Sequence, residues 1–159
     1  MDKKAFYKFT YGVFLLTARE NGRDNGCIIN TAIQAANDPA RVSIAVIKGG
    51  LTHDMILHTG LFTISGISES ADFPLFQHFG MQSGRDVDKF DGFDAVERSA
   101  NGLYYLKEKA NAMFSCNVSE KLDLGSHMLF VGQVTEAKVL GNDKSCTYDH
   151  YQNSIKKRF

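Results

Sequence analysis

The chain has 159 residues, enough for one domain with a real core and too few for a second domain of comparable size. Lysine plus arginine and aspartate plus glutamate both number 18, so the formal charge is zero and nothing points to a nucleic-acid or acidic-membrane partner. Cys27, Cys116 and Cys146 lie far apart with no CxxC pair, which argues against thiolate metal centres and thioredoxin-type exchange.

Apolar and β-branched runs separated by Asn, Gly and Asp dominate, the pattern of a barrel or sandwich with few helices. The first predicted strand, Gly12–Ala18, is followed by Glu20 to Gly26, whose two Asn-Gly pairs tolerate positive φ and predict a hairpin connection. Strands at Cys27–Ala35 and Arg41–Ile47 come next. In the latter, Val42, Ile44 and Val46 share one face, while Ser43, Ala45 and Ile47 on the other are small or apolar, so both faces are expected to be covered. That implies a closed barrel or a second subunit packed outside it. A short helix, Thr52–Thr59, is expected with Thr52 as N-cap and Gly60 as stop. Strand Leu61–Ile67 precedes a second helix, Phe73–Phe79, opened by Asp72 and Pro74 and closed by Gly80. Strands Ala112–Val118 and Met128–Val139 complete six. The basic end, Lys156 to Arg158, reads as a solvated tail. No run approaches the roughly 20 apolar residues of a membrane span, and MDKKAFYKF lacks a signal-peptide core. With Cys116 in an apolar run, where a reduced core thiol is expected, these features favour a cytoplasmic protein built as one domain over residues 1–159.

At Val46 to His53 a strand runs through Lys48-Gly49-Gly50 into a helix start. Free helix N–H groups, the Thr52 hydroxyl and the Lys48 ammonium would favour an anion there; equally, Gly49-Gly50 is a flexible turn and Thr52 a cap. The segment Phe79 to Phe90 holds Ser83, Arg85 and Lys89, but Asp86 and Asp88 can neutralise these cations in place, so locally it reads as a solvated loop. His53 and His58 are five apart on one helix, a poor metal pair. His78, beside Phe76 and Phe79, reads as a half-buried ring, and His127 opens a strand where a polar side chain can face a barrel mouth. No hydrolase triad and no metal site is evident.

Several segments in order carry a resemblance: Tyr11-Gly12-Val13-Phe14-Leu15-Leu16-Thr17-Ala18, Asp24-Asn25-Gly26-Cys27-Ile28-Ile29-Asn30-Thr31, Thr52-His53, His78-Phe79-Gly80, Ser83-Gly84-Arg85-Asp86-Val87-Asp88-Lys89-Phe90 and Asp123-Leu124-Gly125-Ser126-His127-Met128-Leu129-Phe130-Val131-Gly132. Across essentially its whole length the chain resembles the flavin reductase-like family, especially the flavin domain of high-molecular-weight rubredoxins and flavoredoxin. The resemblance implies a six-stranded split β-barrel holding non-covalent FMN at a homodimer interface. It places Asn30, Thr31 and Ala32 along the isoalloxazine edge, and Lys48, Gly49, Gly50 and Thr52 at the phosphate junction. Ser83, Gly84, Arg85 and Lys89 fall on the loop over ribityl and phosphate, with Arg85 the sharpest phosphate candidate. His127 falls beside the flavin or an incoming nicotinamide, in a positioning role. Tyr148, Tyr151 or Phe159 would supply a ring over the flavin. Gly49-Gly50 departs from the bulkier polar residues expected in that loop, which shifts phosphate contacts toward backbone. The implied activity moves electrons from NAD(P)H through FMN to a separate rubredoxin, a flavodiiron-type protein or free flavin; the alternative is an FMN electron carrier without a nicotinamide site.

Overall fold

In the computed structural model, which describes residues 1–156, a short 3-10 helix (Lys3–Lys8) leads into four strands, β1 (Phe14–Glu20), β2 (Arg23–Ile29), β3 (Ile33–Asn37) and β4 (Ala40–Ile47). Then come α1 (Leu51–Thr59), β5 (Leu61–Ile67), α2 (Phe73–Gly80), β6 (Val96–Arg98), β7 (Tyr104–Leu106), β8 (Ala110–Asp123) and β9 (His127–Val139). A single helical turn, α3 (Tyr148–His150), passes into a π-helical turn at Tyr151–Ile155. Lys157, Arg158 and Phe159 lie outside the described residues. Seven strands form one antiparallel sheet in the order β2-β1-β5-β8-β9-β4-β3, and β6 and β7 form a separate two-stranded ribbon.

The sheet order forces curvature. β2 and β3 stand at opposite edges, which in a flat sheet would lie about 29 Å apart at about 4.8 Å per strand. Asn30, Thr31 and Ala32 alone connect them, and that link reaches at most about 14 Å. The sheet therefore curls until its first and last strands approach. The expected strand Cys27–Ala35 is accordingly divided in two. At the break the Thr31 hydroxyl takes both backbone groups of Ala45, donating to its carbonyl at 2.8 Å and accepting from its N–H at 3.1 Å.

Other departures have local causes. Only the first Asn-Gly pair is a turn: Asn21 and Gly22 have φ of 51° and 79°, positive at both centres as a tight hairpin needs. Asn25 and Gly26 belong to β2 and face Ala18 and Thr17 across the ladder. The N-cap of α1 is Gly50, not Thr52, which lies within the first turn; Gly60, with φ 70°, does close the helix. Asp72 caps α2 without a side-chain bond, its carboxylate being taken by Lys109 at 2.6 Å, and the helix runs through Gly80 to Met81. β8 extends to Asp123 through polar residues that carry no alternation signal.

β1 is buried on both faces. Leu15 packs in one cluster with Ile67, Phe76 and Phe79, and Leu16 in another with Ile44, Phe62 and Phe130. β4 falls short of the expected two-sided burial: Val42, Ile44 and Val46 are buried, Ser43 and Ala45 only half so, and Ile47 is exposed. Inside the second cluster Gly132 sits where an added Cβ would meet Cys116 and the Phe62 ring at 2.7 Å. Gly132→Ala should therefore cost about 1–3 kcal/mol through overpacking, read from the denaturant midpoint; an unchanged midpoint would show that the core has slack there.

Candidate functional site

Where the curl brings the β2–β3 link beside the end of β4, a cavity of about 430 Å³ opens, within the range of small-molecule sites. Asn30, Thr31, Lys89 and His127 line it, joined by Cys27 and Gln82. Tyr148 and Tyr151 from the C-terminal turn, with Phe76 and Phe79 of α2, add aromatic surface. Tyr151 packs on Phe76 with ring centres 4.4 Å apart, and Tyr148 lies 6.1 Å from Tyr151. One side is thus polar and another aromatic, which suits a flat heterocycle with a polar edge.

The polar groups differ in what they have left to offer. The Thr31 hydroxyl is engaged by Ala45, whereas the Asn30 side chain makes no hydrogen bond among the described residues and is half-buried at the wall. His127 begins β9 opposite Ile47 of β4, and its Nδ1 lies 2.8 Å from the Ser126 hydroxyl. The Cys27 thiol is pushed above its ordinary pKa by burial, against the Thr52 hydroxyl that bonds it and the nearby Lys89 ammonium. It is therefore a neutral thiol at physiological pH. Sequence reasoning missed Cys27, which gave no signal beyond being one of three scattered cysteines.

The glycine junction and the Ser83 loop come together next to this cavity, not within its lining. Arg85 Nη2 donates to the Gly49 carbonyl at 3.0 Å and to Asp54 Oδ2 at 2.5 Å. Arg23 donates to the Gly84 carbonyl, and a Cβ on Gly84 would run into the buried Asn25 side chain, so a larger residue there would displace Asn25 or lift the loop. Ser83 Oγ accepts from Arg85 N–H at 3.1 Å, an internal turn. Lys48 binds both Asp123 oxygens at 2.8 Å. The carboxylate that holds Arg85 is thus Asp54, not the Asp86 or Asp88 suggested by sequence proximity, and Asp123 holds Lys48. Thr52 is buried and accepts from Asn25 Nδ2 at 2.9 Å. The first N–H groups of α1, beyond Gly50, have no intrahelical acceptor. Ala32 alone of the candidates faces elsewhere, lining a separate groove of about 350 Å³ with Phe14 and Ile33.

Asp54 ties this region together. His53, 5 % exposed, sets Nδ1 2.9 Å from Asp54 Oδ1, and its Nε2 is buried with no partner among the described residues. The His53 hydrogen bond first, and Arg85 second, hold the Asp54 carboxyl below the usual carboxylate range.

A family model described as "Flavin reductase like domain" matches residues 6–156. Over 151 residues the chain is 36% identical to the high molecular weight rubredoxin of Moorella thermoacetica, covering 95% of this chain and 66% of that protein. It is 31% identical over 151 residues to the ferric-chelate reductase (NAD(P)H) of Archaeoglobus fulgidus, covering 95% and 89%. The structure of an FMN-binding protein from Thermus thermophilus with bound 1-cyclohex-2-enone superposes with a TM-score of 0.76 at 24% identity, over 85% of this chain and 74% of that one.

Asp54→Asn should leave global stability within about 1 kcal/mol, because Asp54 and Arg85 are partly exposed and an asparagine keeps an oxygen that can face His53. Hydrogen exchange at the amides of Asp86 and Val87, bonded to the Ser83 carbonyl at 3.1 and 3.2 Å, should nonetheless accelerate as the loop loses its anchor. Since the folded carboxyl titrates lower than an unfolded one, this anchoring is complete above about pH 3.9 and lost as pH falls through the depressed folded value. Unaltered exchange in the variant would show that the Asp54–Arg85 pair does not hold the loop.

Proposed function

The chain belongs to the flavin reductase like domain family, and we propose that it binds FMN non-covalently in the cavity and passes electrons from NAD(P)H through it to an acceptor. The observation that carries this reading is the convergence of Asn30, Thr31, Lys89 and His127, from three separate segments, on one space walled on another side by tyrosines. The donor set fits such a group: Asn30 offers a free side-chain amide to a ring edge, and Thr31, whose hydroxyl is held by Ala45, offers backbone. The N–H groups at the start of α1 suit the anionic tail, with Gly49, Gly50, Thr52 and Ser83 shaping the crevice and Gly84 letting the loop approach. Arg85 retains donors beyond the Nη2 bonds to Gly49 and Asp54. Lys48, clamped by Asp123, adds positive potential at longer range.

When bound, FMN supplies the hydride acceptance and electron release; the protein supplies orientation and electrostatics. His127, steadied by Ser126, stands at the wall as the residue that positions the incoming nicotinamide. The ferric-chelate reductase relative supports a nicotinamide donor, and the rubredoxin relative, of which this chain spans just under two thirds, supports a rubredoxin-type acceptor. A flavodiiron-type protein and free flavin are the other acceptors in this reading. In this reading β2 and β3 count as one bent strand, so that the curled seven-stranded sheet corresponds to the six-stranded split barrel that the resemblance implies. Exposed Phe6, Tyr7, Phe9 and Ile33 support a homodimer, and the three free thiols support a reducing, cytoplasmic setting. No helix among the described residues is long and apolar enough to cross a membrane.

Purified protein should take up FMN, and Arg85→Ala should weaken its retention by tenfold or more in Kd, about 1.4 kcal/mol, with little change in the bound spectrum; an unaltered Kd rejects the phosphate role. Stopped-flow mixing of the FMN-loaded protein with NADH and with NADPH should bleach the flavin with at least one of them. His127→Ala should slow that step with FMN affinity intact. A flavin that stays oxidised with both nicotinamides would identify an electron carrier instead.

A further inference from the structure

Lys89 differs from every other cation near the cavity. Lys48 and Arg85 are partly exposed and each faces a carboxylate. Lys89 is 3% exposed, and no carboxylate among the described residues forms an ion pair with it. Its ammonium donates to the carbonyls of Gly26 at 2.8 Å and Phe79 at 2.9 Å. An ammonium carries three N–H donors, so one is left without a protein acceptor among the described residues. The compensation it does receive is partial. Phe79 lies in the last turn of α2, where unpaired carbonyls and the helix dipole give a fraction of a negative charge. The neighbouring Cys27 is neutral because burial raises its pKa, and burial likewise pulls the Lys89 pKa down.

This arrangement is more than a tie between β2 and α2. A neutral amide or hydroxyl would bridge two carbonyls without the cost of desolvating a full charge. A buried cation retained at a cavity wall instead projects an uncancelled positive field into the space it borders. Its position also tells which part of a ligand it meets. Cys27, Phe79 and Gly80 beside it line the cavity, whereas Gly49, Gly50 and Arg85 at the anion junction do not. Lys89 shares this wall with Asn30 and Thr31, the ring-edge residues of the FMN reading, and in that reading the ring comes against it.

Resting on the FMN reading above, we propose that Lys89 is the counter-charge for the electron-rich reduced isoalloxazine and thereby raises the reduction potential of the bound flavin. A flavin that has taken up a hydride holds added negative charge, and a fixed cation at the cavity wall favours the reduced form over the oxidised one. Lys89 acts through its field and takes no covalent part.

The test compares FMN-loaded unaltered protein with Lys89→Met and Lys89→Arg, measuring the flavin potential by anaerobic reduction against a reference dye. Lys89→Met should shift the oxidised-to-reduced equilibrium at least tenfold toward oxidised flavin, about 30 mV downward for a two-electron couple. Lys89→Arg, which keeps the charge, should stay within threefold of the unaltered protein. Folded, FMN-bound Lys89→Met with an unchanged potential overturns the proposal and leaves Lys89 as a structural tie. Should Lys89→Met fail to fold, the unaltered protein decides: reduced FMN should bind at least tenfold more tightly than oxidised FMN, and equal or weaker binding of the reduced form overturns the proposal. No FMN uptake in either state overturns the parent reading as well, whereas uptake without a potential effect removes this inference alone.

Discussion

Two neighbouring strands of the chain, β2 and β3, occupy the two far edges of a seven-stranded sheet and are joined by three residues. That tether cannot span a flat sheet, so curvature follows from connectivity before any side chain is considered. Thr31 then fixes the closure point by offering its hydroxyl to both backbone groups of Ala45, a side chain substituting for a missing ladder partner. The link that bends the sheet is also the wall of the cavity. Asn30 and Thr31 are available to a ligand because they are the residues at which regular pairing breaks.

Electrostatics around this break is organised in two zones. At the surface, Arg85–Asp54 and Lys48–Asp123 are mutually neutralised pairs that fasten the loop and the β8–β9 turn to the start of α1. Such pairs contribute little to global stability, yet they decide where the glycine junction and the Ser83 loop sit. In the interior, Lys89 has only carbonyls. An anionic tail arriving at the first zone exchanges one set of charge-assisted bonds for another, while anything anionic arriving at the second meets an unmatched charge. The two ends of a phosphorylated heterocycle would thus experience different environments within one short reach of chain.

Much of the scaffold was legible in the residues. The alternation in Arg41–Ile47, the apolar run Leu61–Ile67 and the stop at Gly60 located β4, β5 and the end of α1 nearly to the residue. The division at Asn30–Ala32 was not, because Ile28, Ile29 and Ile33 keep up a strand-like apolar run through it, and only the sheet order demands a bend. Asn25-Gly26 tolerates a turn without requiring one, and pairing with Ala18 and Thr17 overrode it. β6 and β7, three residues each, are too short to show a period. At the site, local pattern read Phe79 to Phe90 as a solvated loop, yet Lys89 is buried within it, since sequence shows a charge without the carbonyls that will receive it. The family resemblance, not the local pattern, supplied Asn30, Thr31, Lys89 and His127 as a group. Of the loop residues that the resemblance grouped with it, Ser83, Gly84 and Arg85 do not line the cavity, whereas Lys89 does.

The cavity wall draws on Cys27 near one end of the chain and on Tyr148 and Tyr151 near the other. Cys27 and Asn30 come early in the sequence and Phe76 and Phe79 follow, whereas Tyr148 and Tyr151 join the aromatic wall from the last described turn. Tyr151 is itself buried against Phe76 and Phe79 of α2, so docking of that terminal turn both seals apolar core and finishes the pocket. One and the same contact thus closes apolar core and builds one side of the pocket.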